Sequence, residues 1–251
     1  MKLITSSNNS YIKDLIKLKQ KKYRDINKLY LVEGYNILEE AKDYVRTILI
    51  SDKDDSSKYK GFNNVEIILV TEEIIKKLSS TQTPQGVIGV CKYKEPKEIS
   101  GNVVMLDGVQ DPGNIGTIVR TSIAFGYDTI VLSDDSVDMY NDKVIRATQG
   151  AIFKTNVIRA NLKEMISTLK KNSYYIIGTS LKNAILLNDL DNKLKNNKVK
   201  KHVLVLGSEG QGMSEEVSNL TNVNVFIPIS TEMESLNVGV AGGIMMYYLN
   251  K

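Results

Sequence analysis

Three short stretches of this chain hold residue types that grip anions and shape tight turns. They are Asp107–Arg120 (DGVQDPGNIGTIVR), Leu206–Gly212 (LGSEGQG) and Ser235–Val238 (SLNV). In the first, Arg120 follows Gly116 by one helical turn, so the two share a face. Helical side chains lean toward the amino terminus, so the guanidinium reaches back across a position that has no side chain. Pro112 sets φ, Gly113 permits a tight turn, and Asn114 is a favourable N-cap for a helix expected over Ile115–Phe125. A fixed planar charge near a helix amino terminus, at the ligand edge of a sheet, suits a phosphate. A surface arginine on an amphipathic helix is the ordinary alternative, though Ile118, Val119 and Ile123 point to packing close by.

The second stretch follows an aliphatic run, Val203–Leu206. A dinucleotide fold needs G-x-G-x-x-G and an acidic residue about 20 positions later. Here the glycines fall at 207, 210 and 212, only 39 residues remain after them, and no G-K-[ST] marks a P-loop. A nucleotide-dependent oxidoreductase is thereby set aside. Closely spaced glycines let backbone amides and carbonyls approach a ligand. Glu209 either holds this loop or meets the substrate. In the third stretch Ser235 or Asn237 caps the last helix. Gly239, Gly242 and Gly243 make that helix costly unless it packs closely against a neighbour.

These stretches need a scaffold. Strand-like runs at Val103–Leu106, Thr129–Leu132, Tyr174–Gly178, Val203–Leu206 and Val223–Ile227 alternate with helical patterns at Ile115–Phe125, Asp142–Thr148, Leu162–Lys171, Met213–Leu220 and Val238–Tyr248. That alternation predicts a parallel sheet covered on both faces, spanning residues 102–251. Leu190–Lys201, rich in Lys and Asn, reads as a mobile surface loop. Residues 1–93 read as a smaller α/β unit. Its strands lie at Leu29–Glu33, Val45–Ile50, Val65–Val70 and Gly86–Lys92, with helices near Asn36–Lys42 and Glu72–Leu78. Residues 94–101, polar and carrying Pro96 and Gly101, form the linker.

Charge is unevenly spread. Residues 1–100 carry 18 Lys+Arg against 14 Asp+Glu, whereas residues 101–251 carry 15 of each. The excess sits at the amino terminus, where one amphipathic helix over residues 8–26 places Lys13, Lys17, Lys21 and Arg24 along one stripe. Such a stripe suits a polyanion, nucleic acid first; a solvated helix face is the plain alternative. Cys91 is the only cysteine and His202 the only histidine, so neither a disulfide framework nor a Cys- or His-rich metal site is expected, and a cytoplasmic setting is the default expectation. No apolar run approaches the roughly 18 residues that span a bilayer. His202 reads as structural.

Taken together, the three stretches resemble the signature motifs of the SpoU (TrmH-like) branch of the SPOUT RNA methyltransferases. They match N-x-G-x-x-x-R at Asn114, Gly116 and Arg120, L-G-x-E-x-x-G at Leu206, Gly207, Glu209 and Gly212, and S-L-N-V at Ser235–Val238. Leu31–Gly34 and Thr83–Val87 resemble the small ribosomal-protein-like substrate-binding domain of ribosomal enzymes in that family. The resemblance implies an α/β fold whose parallel-sheet domain ends in a deep trefoil knot. It implies S-adenosylmethionine held by Gly207, Ile227 and Leu236, with Thr179 beside them, and no metal. It implies a homodimer in which Arg120 of one subunit works near the cofactor of the other. Arg120, Asn114, Glu209, Ser235 and Asn237 would form the catalytic set for methyl transfer to a ribose 2′-hydroxyl. Arg120 is the family's proposed base; because a guanidinium is held protonated, clamping phosphate is its first expected role. Ribosomal RNA is the expected substrate ahead of transfer RNA, and the alternative from another class is a non-catalytic RNA- or ribosome-binding protein. One departure is Ser230–Glu234, where relatives carry a glycine-containing turn and this chain places two carboxylates.

Overall fold

The computed structural model describes residues 2–250. The chain begins β1 (Lys2–Ile4), α1 (Ser10–Lys17), α2 (Lys21–Asn27), β2 (Leu29–Glu33), α3 (Tyr35–Glu40), β3 (Val45–Ser51), β4 (Glu66–Val70), α4 (Glu72–Leu78) and β5 (Val87–Lys92). It continues β6 (Asn102–Asp107), α5 (Pro112–Ala124), β7 (Tyr127–Leu132), α6 (Asp142–Thr148), α7 (Ala151–Lys154), β8 (Asn156–Arg159), α8 (Leu162–Lys171) and β9 (Tyr175–Thr179). It ends β10 (Ala184–Leu186), α9 (Leu190–Asn196), β11 (His202–Gly207), α10 (Glu215–Ser218), β12 (Val223–Phe226) and α11 (Val238–Leu249).

Two compact units result: residues 1–95 with 138–153, and residues 96–137 with 154–251. Segment 138–153, which its place in the sequence puts in the second unit, thus packs with the first. In the first unit the sheet order is β1-β4-β3-β5-β2, with β1, β4 and β3 parallel and β5 antiparallel to both its neighbours. Ile12, Leu15 and Leu18 bury one face of α1 with Ile68, Val70, Ile74 and Ile88.

The single helix expected over residues 8–26 is two helices, and Arg24 supplies the reason. Its guanidinium donates to the carbonyls of Leu18 and Lys19, both at 2.8 Å, and to Asp138 Oδ2 at 3.0 and 2.5 Å. Two carbonyls freed by the break are thus satisfied by a buried cation that is itself paired. Arg24 therefore leaves the basic stripe; Lys13, Lys17 and Lys21 stay exposed, with Lys17 tied to Asp14 at 2.8 Å.

The second unit carries seven parallel strands in the order β10-β12-β9-β11-β6-β7-β8. Val103–Leu106 and the whole of β11 are buried, as a sheet covered on both faces requires. β1, β8 and β10 escaped the sequence reading because they are edge strands of three or four residues with little apolar pattern. Leu190–Asn196, expected as loop, is helical, and Leu190 is its buried anchor. From β6 the chain steps outward to β7 and β8, then crosses to β9 and β10. β11 is later inserted between β6 and β9, and β12 between β9 and β10. The reversal lies beside β6, where parallel sheets open a ligand crevice at their carboxyl ends.

Candidate active site

All three motif stretches stand at those carboxyl ends: β6 runs into α5, β11 into the 208–212 loop, and the segment after β12 into α11. α5 begins three residues earlier than expected. Asp111, not Asn114, is its N-cap, accepting from Asn114 N at 2.9 Å, with Pro112 at the first helical position. That frees the Asn114 side chain. Its Nδ2 donates to Glu209 Oε1 at 2.8 Å, and its Oδ1 accepts from Asn237 Nδ2 at 2.8 Å. Asn237 Oδ1 in turn caps α11, accepting from the amides of Gly239 at 2.9 Å and Val240 at 3.2 Å.

The amide orientations follow from chemistry. A carboxylate only accepts, so Asn114 must present its NH₂ to Glu209 and its oxygen to Asn237, which leaves the Asn237 oxygen for the helix. One residue from each motif joins a single chain of hydrogen bonds. Glu209 also accepts from the backbone amides of Asp111 at 3.3 Å and Gln110 at 3.4 Å. Partial burial raises its pKa, but the bonds from Asn114, Asp111 and Gln110 outweigh that and hold the carboxyl below its usual value. Of the two roles open to Glu209, holding its surroundings is the one for which partners exist.

Gly207 shapes the loop. Ser208 and Gly212 exchange backbone hydrogen bonds at 2.9 and 3.0 Å, folding the loop back on β11. A Cβ on Gly207 would overlap the backbone of Gly212 and Met213, so no other residue fits. The glycines of α11 serve close packing: Cβ atoms at Gly239 and Gly243 would meet Thr117 and Thr121 of α5, and one at Gly242 would meet Leu206 and Ile118.

Beside the hydrogen-bonded chain lies a cleft of about 550 Å³, the size of a small-molecule site. Thr179, Gly207, Ile227 and Leu236, the four residues expected at the cofactor, all line it, as do Glu209 and Ser235. Thr179 Oγ1 donates to the Val205 carbonyl at 3.0 Å. Leu206, Val225, Phe226 and Val238 provide apolar wall; Glu209, Glu215 and Glu234 provide carboxylates, opposed in the lining by Lys182 alone. This balance repels a polyphosphate and accepts a cationic ligand with an apolar body. S-adenosylmethionine, bearing a sulfonium and an ammonium, fits it. Glu234, which the sequence made a departure, is one of those carboxylates. Glu215 and Lys182 had no motif to flag them; only their position at the ends of β9 and β11 brings them in.

Arg120 lies apart from the cleft lining. It is exposed on α5, and among the described residues its side chain has no hydrogen-bonding or ionic partner. His202 is at the opposite end of β11, buried, with Nε2 2.6 Å from the Tyr127 hydroxyl, and burial pushes its pKa down to about 4. Among the described residues no group of three or more His, Cys, Asp and Glu is arranged to hold a metal ion, and no helix is long and apolar enough to cross a membrane.

The chain is similar to known proteins. Residues 101–247 match the model of the SpoU rRNA Methylase family, and residues 9–89 match that of the MRM3-like substrate binding domain. The chain is 34% identical to the Bacillus subtilis (strain 168) 23S rRNA (guanosine(2553)-2′-O)-methyltransferase RlmP, with 99% of each chain covered. It is 30% identical to the uncharacterized tRNA/rRNA methyltransferase slr1673 of Synechocystis, covering 97% of this chain and 92% of that one. The crystal structure of an AdoMet-bound rRNA methyltransferase from Sinorhizobium meliloti superposes with a TM-score of 0.86 at 27% identity, over 98% of this chain and 96% of that one.

Proposed function

This chain belongs to the SpoU rRNA methylase family, and from that premise we propose that it methylates a ribose 2′-hydroxyl of ribosomal RNA. The observation that carries the reading is the hydrogen-bonded chain Glu209–Asn114–Asn237, set beside a cleft whose charge suits a cationic cofactor. Ribosomal RNA is favoured over transfer RNA by the full-length similarity to a 23S rRNA enzyme and by the match of residues 9–89 to a substrate-binding domain. Action on ribosomal RNA belongs to the cytoplasm. In this reading the carboxyl-terminal crossings through β11 and β12 form the family's trefoil knot.

Bound in the cleft, S-adenosylmethionine supplies a methyl group already activated on a sulfonium, so no metal is needed. Gly207, Ile227, Leu236 and Thr179 hold it. Asn114 and Asn237, locked by Glu209 and the α11 amides, orient the ribose, and Ser235 shapes the mouth of the site. Arg120 clamps the neighbouring phosphate and so orients the 2′-hydroxyl. As O2′ gains the methyl group and the sulfur–methyl bond breaks to leave a neutral thioether, the hydroxyl proton is relayed by way of that phosphate to water. The exposed position of Arg120 outside the cleft is accounted for by a homodimer that brings it to the partner's cofactor. Val240, Ile244 and Tyr247 form an exposed apolar stripe on α11, the helix packed against α5, and suit that interface.

Incubation of the full chain with tritiated S-adenosylmethionine and RNA from a methylation-deficient host tests the reading. Label is expected in a 2′-O-methylnucleoside of ribosomal RNA. Label confined to transfer RNA would redirect the substrate, and no label despite measured cofactor binding would favour the non-catalytic class. Sedimentation of the same protein is expected to give a dimer; a monomer at micromolar concentration would sink that arm.

A further inference from the structure

Arg159 ends β8, outside every motif, and its guanidinium meets backbone carbonyls alone. Nη1 donates to the carbonyls of Ser133 at 2.6 Å, Asp134 at 3.0 Å and Ser136 at 3.1 Å, and Nη2 donates to Val137 at 2.6 Å. Four carbonyls of one five-residue loop converge on one cation. Aligned carbonyl dipoles repel one another, and a charged donor fork is what makes their convergence stable.

The loop so gathered braces the first motif. Ser133 Oγ accepts from Gly108 N at 2.9 Å, Ser136 Oγ donates to the Leu106 carbonyl at 3.1 Å, and Val137 N donates to the Val109 carbonyl at 3.0 Å. Ser133 and Ser136 are buried and share a further bond at 2.8 Å. Gly108, at φ +72°, passes the chain into the turn whose next amides, Gln110 and Asp111, anchor Glu209. The path from Arg159 to Asn114 is thus continuous through loop 133–137, turn 108–111 and Glu209.

We propose that Arg159 is a positioning residue for methyl transfer: through loop 133–137 it holds the Gly108–Asp111 turn, and with it the Glu209–Asn114–Asn237 chain, in the reactive arrangement. The proposal rests on the methyltransferase reading, and it concerns rate rather than cofactor affinity. A misplacement near 1 Å costs a reaction about 100-fold, whereas the cleft is walled mainly by other segments.

The test uses the full chain with S-adenosylmethionine and ribosomal RNA, comparing the unaltered protein with Arg159→Met and Arg159→Lys well below their melting temperatures. Arg159→Met is expected to lose about 10- to 100-fold in kcat with cofactor Kd changed less than about threefold. Millimolar guanidinium should restore part of the loss. Hydrogen exchange without cofactor should speed up in peptides covering 106–114 and 133–137 while β9 and β11 keep their protection. Unchanged kcat, or faster exchange spread evenly over the unit, would overturn the proposal, since a merely structural arginine predicts the latter. Should Arg159→Met not fold, Ser133→Ala removes the strut to Gly108 and must show the same split. If the unaltered protein methylates no RNA, the methyltransferase reading fails instead, while the exchange result still judges the link from Arg159 to the turn.

Discussion

Glu209 ties the loop after β11 to the start of the first motif stretch, residues 110–114. It accepts from Asn114, Asp111 and Gln110 and lines the cleft, so its charge serves two purposes at once. Replacing it by glutamine keeps the shape but turns an NH₂ toward donors, leaving at least one unpaired. Glu209→Gln is therefore expected to lower kcat by about tenfold or more, the order of effect of one unpaired polar group near a site. Steady-state kinetics beside cofactor titration checks this, and retention of full kcat would return Glu209 to a passive place in the loop. Because its folded pKa is lowered, protonation begins only below the ordinary carboxylate range, so Glu209 contributes no pH dependence from pH 6 to 8.

At the scale of elements, β11 joins two different demands. Its carboxyl end, Gly207, is fixed by the loop folded back on it, while its amino end carries His202 against Tyr127 of β7. With a folded pKa near 4 and an ordinary value of 6.5, His202 is buried neutral. The unfolded chain binds the extra proton first, so this histidine leaves stability intact above pH 6.5 and withdraws it progressively as pH falls toward 4. The loss is on the order of 3 kcal/mol at most. His202→Gln should flatten the fall of stability between pH 6.5 and 4.5, read from denaturant midpoints. Since no other histidine exists, an unchanged profile would assign that acid sensitivity to carboxylates. Methyl transfer should be little altered, because the two ends of the strand are five residues apart and meet different partners.

For the whole molecule, charge is spread unevenly between the two units. The basic excess lies in the first 28 residues, and the carboxylate-rich cleft lies in the second unit. The Lys13 and Lys21 side chains are exposed and, among the described residues, have no hydrogen-bonding or ionic partner, whereas Lys17 already answers Asp14. Reversal of all three to glutamate should weaken RNA binding and reduce the slope of log K against log salt by about 0.7–0.9 for each phosphate no longer neutralised. Binding measured from low to physiological salt decides this, and an unchanged slope would make α1 and α2 a solvated surface. Arg24 is no part of the test, since it is spent on Leu18, Lys19 and Asp138.

How far the sequence reached can be judged from particular residues. Long buried strands such as β6 and β11, and helices with strong periodicity such as α8, were legible because burial on both faces or on one imposes a pattern on neighbouring residues. So were the motif glycines and Arg120, whose types are unusual for their places. Four things were not legible. The break between α1 and α2 depends on Asp138, more than a hundred residues away. The capping by Asp111 rather than Asn114, and the bond from Asn114 to Glu209, depend on which loops face each other at the sheet edge. Arg159 has no local signal at all, since its partners are backbone carbonyls that every residue possesses. Local pattern thus determined the long buried elements and which residue types could do chemistry. Pairings at long range, set by the insertion of β11 and β12 into a sheet already begun, decided which of them meet.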